Sequence, residues 1–293
     1  MPELVAHAAH IRWGGFAFTS LLDGFEAWSQ ATLVDFLPDD DGFLREAILA
    51  EGRPGLSYQV LLAQAEGNYR SELTLVDSGN GLVDPGHPGA LARALASEGI
   101  APELVGRILI THFHSDHIGG LIGPAGEAAF PRAEVHAMRS ESDFWEAYCD
   151  RPEAEPWRRA LLGSIAEGYR GRLFFHEAEA ELGAGIRLRP AAGHTRGHAM
   201  VEFGSPGAAE RLLHSGDLVH LSAQFLDLSQ RTRYDLDPEA ARESRRAFAQ
   251  AASREGCLVF LNHAAFPGFG FVRAGSEGFS WEPRVGRYPD PVL

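Results

Sequence analysis

The most informative segment of this chain reads Thr111-His112-Phe113-His114-Ser115-Asp116-His117-Ile118-Gly119-Gly120. Four of its side chains, within six positions, can bind a divalent cation. His112 and His114 are two residues apart, so both can project to one side where a strand ends. Gly119 and Gly120 allow the following turn to run close to bound metals. Imidazole and carboxylate ligands without sulfur suit zinc, and also iron, manganese or cobalt.

Three further candidate ligands lie downstream, each just after a predicted strand. They are His194, Asp217 and His263, which follow residues 186–189, 211–214 and 257–261, respectively. Ligands placed in this way meet at one edge of a sheet. Seven groups are too many for one tetrahedral zinc and favour two metals that share a bridging carboxylate. We expect a structural role for His198, because no glutamate beside it completes a metalloprotease helix.

Around these segments, short strands alternate with helices. Strands are predicted at residues 16–22, 57–64, 72–76, 107–111, 134–137, 172–176, 186–189, 200–203, 211–214 and 257–261. Helices are predicted at residues 43–48, 91–95, 140–148 and 161–165, and from 238 to about 255. No repeat or linker interrupts this order, so we expect one α/β domain over residues 1–293, with a mixed sheet at its core.

Composition excludes several classes of protein. The chain has 293 residues, of which 45% are hydrophobic, and this supports a sizeable core. With 26 basic and 40 acidic residues, the net charge of −14 argues against binding to nucleic acid or to an anionic membrane. No apolar run is long enough to span a bilayer, and the first residues lack a secretory signal. Two cysteines cannot form a disulfide framework, so we expect a cytoplasmic protein.

The metal-ligand pattern resembles that of the metallo-β-lactamase-fold hydrolase superfamily. The resemblance implies a four-layer αββα sandwich with two divalent metal ions, zinc above all, along one edge. It also implies that one metal is held by His112, His114 and His194, and the other by Asp116, His117 and His263, with Asp217 as the bridge. Asp77 would then accept a hydrogen bond from one ligand imidazole.

The C-terminal third resembles methyl parathion hydrolase and its lactonase-like relatives. The matching segments are Gly216-Asp217-Leu218-Val219-His220, Ala223-Gln224-Phe225 and the run from His263 to Gly270. By the same resemblance, Trp145 lines the substrate pocket, and we expect His220, Phe225 and Phe269 as further pocket residues. His220 is about as well explained as a buried histidine. Many relatives are dimers, which implies a homodimer here by analogy.

These observations predict a metal-dependent hydrolase of small-molecule lactones or esters, with phosphotriesters as a further activity. Five neutral histidines and two aspartates contribute −2, two metals +4 and a bridging hydroxide −1, which leaves about +1 to stabilise developing oxyanion charge. We expect that hydroxide, oriented by Asp116 and Asp217, to attack the substrate.

Other functions of the same fold remain as alternatives. A glyoxalase II-like thioester hydrolase normally adds C-terminal basic groups, and the tail offers only Arg273, Arg284 and Arg287. The negative charge disfavours a nuclease, and His114 stands where a flavodiiron module has glutamate. A non-enzymatic binding protein on this fold is expected to lose ligands, yet none of the seven is missing.

Overall fold

The computed structural model describes residues 7–52, 54–66, 73–83, 88–205, 208, 210–276 and 278–284. These residues form two seven-stranded sheets. The first contains, in spatial order, β1 (Ala8–Trp13), β2 (Phe16–Ala27), β3 (Gly55–Ala65), β4 (Leu73–Val76), β5 (Val105–Leu109), β6 (Glu134–Met138) and β7 (Leu173–His176). The second sheet contains, in spatial order from one edge to the other, β8 (Ala180–Glu181), β9 (Ile186–Pro190), β10 (Ala199–Phe203), β11 (Leu212–His214), β12 (Leu258–Phe260), β13 (Phe269–Gly275) and β14 (Gly278–Pro283).

The α-helices connect the strands along the chain. They are α1 (Gln30–Phe36), α2 (Phe43–Ala50), α3 (Leu91–Ser97), α4 (Ser115–Ile118), α5 (Arg139–Cys149), α6 (Pro156–Gly168) and α7 (Pro238–Glu255). Helix α7 shows how the sequence sets such bounds: the Asp237 side chain accepts from the Ala240 N–H, and Gly256 ends the helix in the left-handed region. Among the described residues, no helix has both the length and the apolar character needed to cross a membrane.

Three apolar cores separate the layers. Between the sheets, side chains such as Phe18 of β2 and Phe203 of β10 interdigitate, with ring centroids 5.2 Å apart. On the outer face of the first sheet, Leu95 of α3 and Ile165 of α6 are buried. On the outer face of the second, Phe248 of α7 is buried. The predicted αββα sandwich is therefore confirmed.

Strand direction places the ends of several strands at one rim. Strands β4 to β7 run parallel, as do β11 and β12. Strand β10 is antiparallel to both β9 and β11, so β9 runs in the same direction as β11. The loops after β4, β5, β9, β11 and β12 therefore leave the two sheets at their carboxyl ends, which is where the predicted ligands lie.

The predicted order of strands and helices agrees with the structure, with some corrections. Helix α5 begins directly after β6 at Arg139, so Ser140 lies inside the helix and makes no N-terminal cap. Strands β1, β8, β13 and β14 and helices α1 and α4 were not predicted, and Asp116 and His117 lie in α4 where a turn was expected. Cys149 and Cys257 are free, buried thiols. Glu72, Arg287 and the chain ends lie outside the described residues.

Candidate metal centre

The first group of ligands surrounds the ring nitrogens of His112, His114 and His194. His112 Nε2 lies 2.9 Å from His114 Nδ1, and His194 Nε2 lies 3.1 Å from the same atom. Asp217 Oδ2 is 3.7 Å from His112 Nε2 and 3.5 Å from His194 Nε2. The four ligand atoms lie within 4.8 Å of one another, so one cation can contact all four.

The second group is formed by Asp116, His117 and His263, again with Asp217. Asp116 Oδ2 lies 3.3 Å from His117 Nε2 and 3.4 Å from His263 Nε2. The two oxygens of Asp217 reach the same imidazoles, at 3.3 Å and 3.2 Å. Asp217 thus belongs to both groups, which is the arrangement of a carboxylate that bridges two metals.

For His117 and His263, the partner of Nδ1, the ring nitrogen that faces away from the ligand group, shows whether Nε2 is free to bind a metal. His117 Nδ1 lies 2.8 Å from Asp77 Oδ2, and His263 Nδ1 lies 2.9 Å from the Ser57 carbonyl oxygen. An acceptor at Nδ1 fixes the proton there and leaves Nε2 with a lone pair that points inward. His117 Nε2 is buried and has no hydrogen-bond partner among the described residues. Converging lone pairs repel one another unless a cation lies between them, so the donor set fits divalent metals.

A second carboxylate supports the first metal position as Asp77 supports the second. Asp235 Oδ1 lies 3.3 Å from His194 Nδ1, and its Oδ2 accepts from Arg245 Nη2 at 3.1 Å. Arg245 is fully buried on α7, and its Nε also donates to the carbonyl oxygen of Leu218, beside Asp217. This chain of contacts fixes the His194 ring and ties the loop of Asp217 to α7.

Buried Glu141, near the start of α5, joins the two ligand loops. Its Oε1 accepts from the backbone N–H of Phe113 and from the indole N–H of Trp145, both at 2.8 Å. Its Oε2 accepts from the Thr195 hydroxyl at 2.7 Å and from the Gly197 N–H at 2.8 Å. Four donors satisfy this carboxylate, so it holds the His112–His114 loop at a fixed distance from the His194 loop.

Without a cation, the pKa values of Asp217 and His117 are shifted in opposite directions. Burial opposes the charge on Asp217, but the imidazoles of His263 and His117 outweigh it and hold the pKa of Asp217 well below its usual range. Burial also opposes a charge on His117, but Asp217 and Asp116 outweigh it and raise the pKa of His117 well above its usual value. Metal ions and protons therefore compete for the same pocket.

The metal groups open onto a cavity of about 370 Å³. Its lining includes His114, Asp116, Asp217 and His263, together with Glu26, Leu56, Tyr58, Asn80, Ser115, Arg158, His220 and Tyr234. The predicted pocket residue His220 lies here, with Nε2 3.3 Å from Asp217 Oδ2 and its ring stacked on that of His263. Burial lowers the pKa of His220 to about 4, so the ring is neutral at pH 7.

The other predicted pocket residues lie behind the lining or away from it. Trp145 is 5% exposed, and its ring meets that of His114 edge-on at 5.8 Å, while Arg158 covers its face. Phe225 is buried against Trp281 in the core under α7. Phe269 packs between the two sheets on Phe260. We therefore assign Phe225 and Phe269 to the core, because strand β13 and its neighbours turn these rings inward.

His198 has a structural place near the metal groups. Its Nδ1 donates to the Ala191 carbonyl oxygen at 3.0 Å, and its Nε2 accepts from the Asp217 N–H at 2.9 Å. Both ring nitrogens are thereby used within the fold. His198 fixes the backbone of the bridging residue and offers no lone pair to a metal.

A family model described as the metallo-beta-lactamase superfamily matches residues 73–261. This range begins at β4 and ends two residues before His263, so it contains six of the seven ligands. The chain belongs to the metallo-beta-lactamase superfamily.

Individual members of the superfamily show the same fold. A probable metallo-hydrolase of Mycobacterium tuberculosis is 31% identical over an alignment of 176 residues, with coverage of 50% of this chain and 52% of that protein. The chain thus spans about half the length of the curated relatives it matches. The crystal structure of a hydrolase of the beta lactamase superfamily, AbOPH, is 26% identical with a TM-score of 0.82 and covers 98% of this chain and 100% of its own. The dizinc quorum-quenching lactonase AidC has the same TM-score at 23% identity and covers 97% of this chain and 100% of its own, which shows a common fold.

Sequence reasoning about this superfamily member missed several supporting residues. Asn262 donates to Asp217 Oδ1 at 2.9 Å, and its position next to His263 was a usable signal. Glu141 and Asp235 gave no such signal, because they contact ligand loops 28 and 41 residues away in sequence. Burial of a carboxylate is visible only once the chain is folded.

Proposed function

We propose that this protein is a two-metal hydrolase that cleaves lactones or carboxylic esters, with phosphotriesters as a further activity. The observation that carries the proposal is the pair of ligand groups that share Asp217 and open onto the 370 Å³ cavity. Membership of the superfamily, and the likeness to a hydrolase at 26% identity, support the hydrolytic class. The AidC fold match makes lactones natural first substrates to test.

Divalent metals, when bound, lower the pKa of water from 15.7 to about 7 and polarise the scissile carbonyl or phosphoryl group. The protein's own residues supply position and proton transfer. Asp217 holds both ligand groups in register, and Asn262 and His198 fix its carboxylate and its backbone. Asp116 is 19% exposed at the cavity wall, so its carboxylate can accept the proton of the attacking water and return it to the leaving oxygen.

Neutral His220 completes the polar wall. Its Nδ1 is buried and has no hydrogen-bond partner among the described residues, while Nε2 faces Asp217. In many acyl-homoserine lactonases a tyrosine follows the bridging aspartate, and this chain places an imidazole there instead. An imidazole N–H at this position can donate to an oxyanion that forms beside Asp217.

The test is a rate panel on metal-analysed protein loaded in turn with zinc, manganese, cobalt and iron. The panel contains an acyl-homoserine lactone, a simple δ-lactone, an aryl ester, an aryl phosphotriester and a glutathione thioester. We expect the highest kcat/KM for a lactone or an aryl ester. The highest value for the thioester would instead assign a glyoxalase II-like function. Bound metal with no hydrolysis of any substrate would make the protein a binding protein on this fold.

A further inference from the structure

Arg158 on α6 brings a positive charge to the metal cavity. Among the described residues that line the cavity, it is the one with a guanidinium or ammonium group, and its side chain is 11% exposed. The lining otherwise contains three carboxylates, from Glu26, Asp116 and Asp217. A cation this deeply buried is unfavourable unless it is paired.

The surroundings hold the guanidinium still, and the carboxylate that pairs with it lies at the protein surface. Its Nη1 donates to the Phe113 carbonyl oxygen at 3.2 Å, between two ligand histidines. Its plane lies over the rings of Trp145 and Trp157, at 4.1 and 4.6 Å from their centroids. The nearest carboxylate, on Glu155, is half-exposed and 3.5 Å from Nε. Nε is buried without a hydrogen bond, and Nη2 makes none with the residues the structure describes.

Two tryptophan rings and one backbone acceptor leave the guanidinium with a fixed orientation and spare donors. A planar guanidinium with free N–H groups matches the geometry of a carboxylate. Because little side-chain entropy remains to be lost, binding an anion here is cheaper than at a flexible surface arginine. The spare hydrogen-bonding capacity therefore points to an anionic group that arrives with the substrate.

The opposite wall of the cavity has the opposite character. The Tyr58 hydroxyl donates to Glu26 Oε2 at 2.8 Å, and the Tyr58 ring meets His263 edge-on at 5.4 Å. Trp145, beneath Arg158, instead meets His114 of the first ligand group. The two walls thus border different metal positions. An anionic substituent would be repelled beside Glu26 and attracted beside Arg158, so the substrate has one favoured orientation.

We infer that Arg158 forms an anion subsite that selects esters or lactones carrying a free carboxylate, and that it directs this carboxylate to the wall beside His114. The inference rests on the proposed hydrolysis of ester bonds. It adds the substrate class to that proposal: the scissile carbonyl lies at the metals, and a carboxylate several bonds away pairs with the guanidinium.

The experiment uses two esters that share the adipoyl chain and differ in the charge at its far end, 4-nitrophenyl hydrogen adipate and 4-nitrophenyl methyl adipate. It compares metal-loaded wild type with Arg158→Gln, Arg158→Lys and the matched control Arg159→Gln. Arg159 is the next residue on α6, donates to the Cys149 carbonyl oxygen and lines a different, apolar cavity. We expect Arg158→Gln to lower kcat/KM for the charged ester by about 10- to 100-fold, mainly through KM. The methyl ester should change by less than about threefold.

Equilibrium binding gives a second measurement that does not depend on turnover. Calorimetric titration with adipate and with hexanoate should show weaker adipate binding in Arg158→Gln, with hexanoate binding little changed. Arg158→Lys should retain part of the selectivity, and Arg159→Gln should match wild type. Higher salt should weaken adipate binding more than hexanoate binding.

Each outcome separates the subsite from the hydrolase. An unchanged ratio of the two esters in Arg158→Gln overturns the subsite and leaves the hydrolase standing. An equal loss on both esters, with a lower melting temperature, makes Arg158 a packing residue and also overturns the subsite. Failure of wild type to cleave either ester counts against the proposed function, and the adipate titration then decides the subsite by itself.

Discussion

Two clusters of buried charged groups, one around Glu202 and one at the rim of both sheets, are built in opposite ways. At the far end of β10, Glu202 is 1% exposed and contacts Arg187, Arg189 and Arg211. At the rim, the nitrogen atoms of five imidazoles and the oxygen atoms of two carboxylates converge in the two ligand groups. The Glu202 cluster is neutralised by the chain's own cations. Among the described residues, no lysine or arginine pairs with the two carboxylates of the rim cluster, and this difference fits a site for divalent metals.

The largest expected effect comes from removing the ligand shared by both metal groups. Asp217→Ala should lower bound metal and reduce kcat by about a thousandfold or more, because a bound divalent metal would lower the pKa of the attacking water. Elemental analysis and initial rates on the same preparation check this. If the variant kept wild-type activity without metal, the rim cluster would need no bound cation, and the proposed difference from the Glu202 cluster would be wrong.

The Glu202 cluster should respond in stability and not in metal content. Glu202→Gln leaves buried Arg187 without its counterion, whereas Arg211 keeps Glu255 and Arg189 keeps Glu179. We expect a loss of about 3 to 5 kcal/mol in the free energy of unfolding. Urea unfolding of metal-loaded protein measures this, and elemental analysis should find wild-type metal content. Loss of metal in this variant would show that the two clusters are coupled.

The pH dependence sharpens the same prediction. Burial opposes the charge on Glu202, but hydrogen bonds from Arg211 and Arg187 outweigh it and hold its pKa below the usual value of 4.5. A lowered folded-state pKa gives stability that is present above the unfolded pKa and is lost as pH falls through the folded value. The difference in stability between wild type and Glu202→Gln should therefore be constant above about pH 5 and shrink below it.

The smallest effects should come from the carboxylates that orient ligand imidazoles. Asp77→Asn acts on His117 and Asp235→Asn acts on His194, so each should weaken one metal position by about 10- to 100-fold. Asp235→Asn also removes the counterion of buried Arg245 and should therefore lower the free energy of unfolding more than Asp77→Asn does. Titration against a chelator of known affinity should resolve two sites and show a different one weakened in each variant. Unchanged affinities would place both carboxylates among ordinary loop-stabilising groups.

The seven candidate metal ligands could be found from sequence because each lies close to the end of a strand. His112 and His114 are fixed by local alternation, and Asp217 and His263 follow short, fully buried strands. Strands β1 and β14 escaped prediction for the opposite reason. They are the edges of their sheets, and the residues of β14 are mostly exposed or half-buried. Hydrogen bonds to one neighbour, and not an apolar pattern, hold such strands in place.

Residue types and local spacing therefore predicted one α/β domain and seven candidate metal ligands, because metal binding needs few kinds of side chain at fixed distances from strand ends. The resemblance to the metallo-β-lactamase superfamily supplied the αββα sandwich, the two ligand groups and the shared Asp217. Tertiary structure alone decided what surrounds them. Glu141 reaches Thr195 across 54 residues, and Arg158 reaches Phe113 across 45. It also moved Phe225 and Phe269 from the expected pocket into the core. Contacts of this range depend on how whole layers pack, and no local pattern encodes that packing.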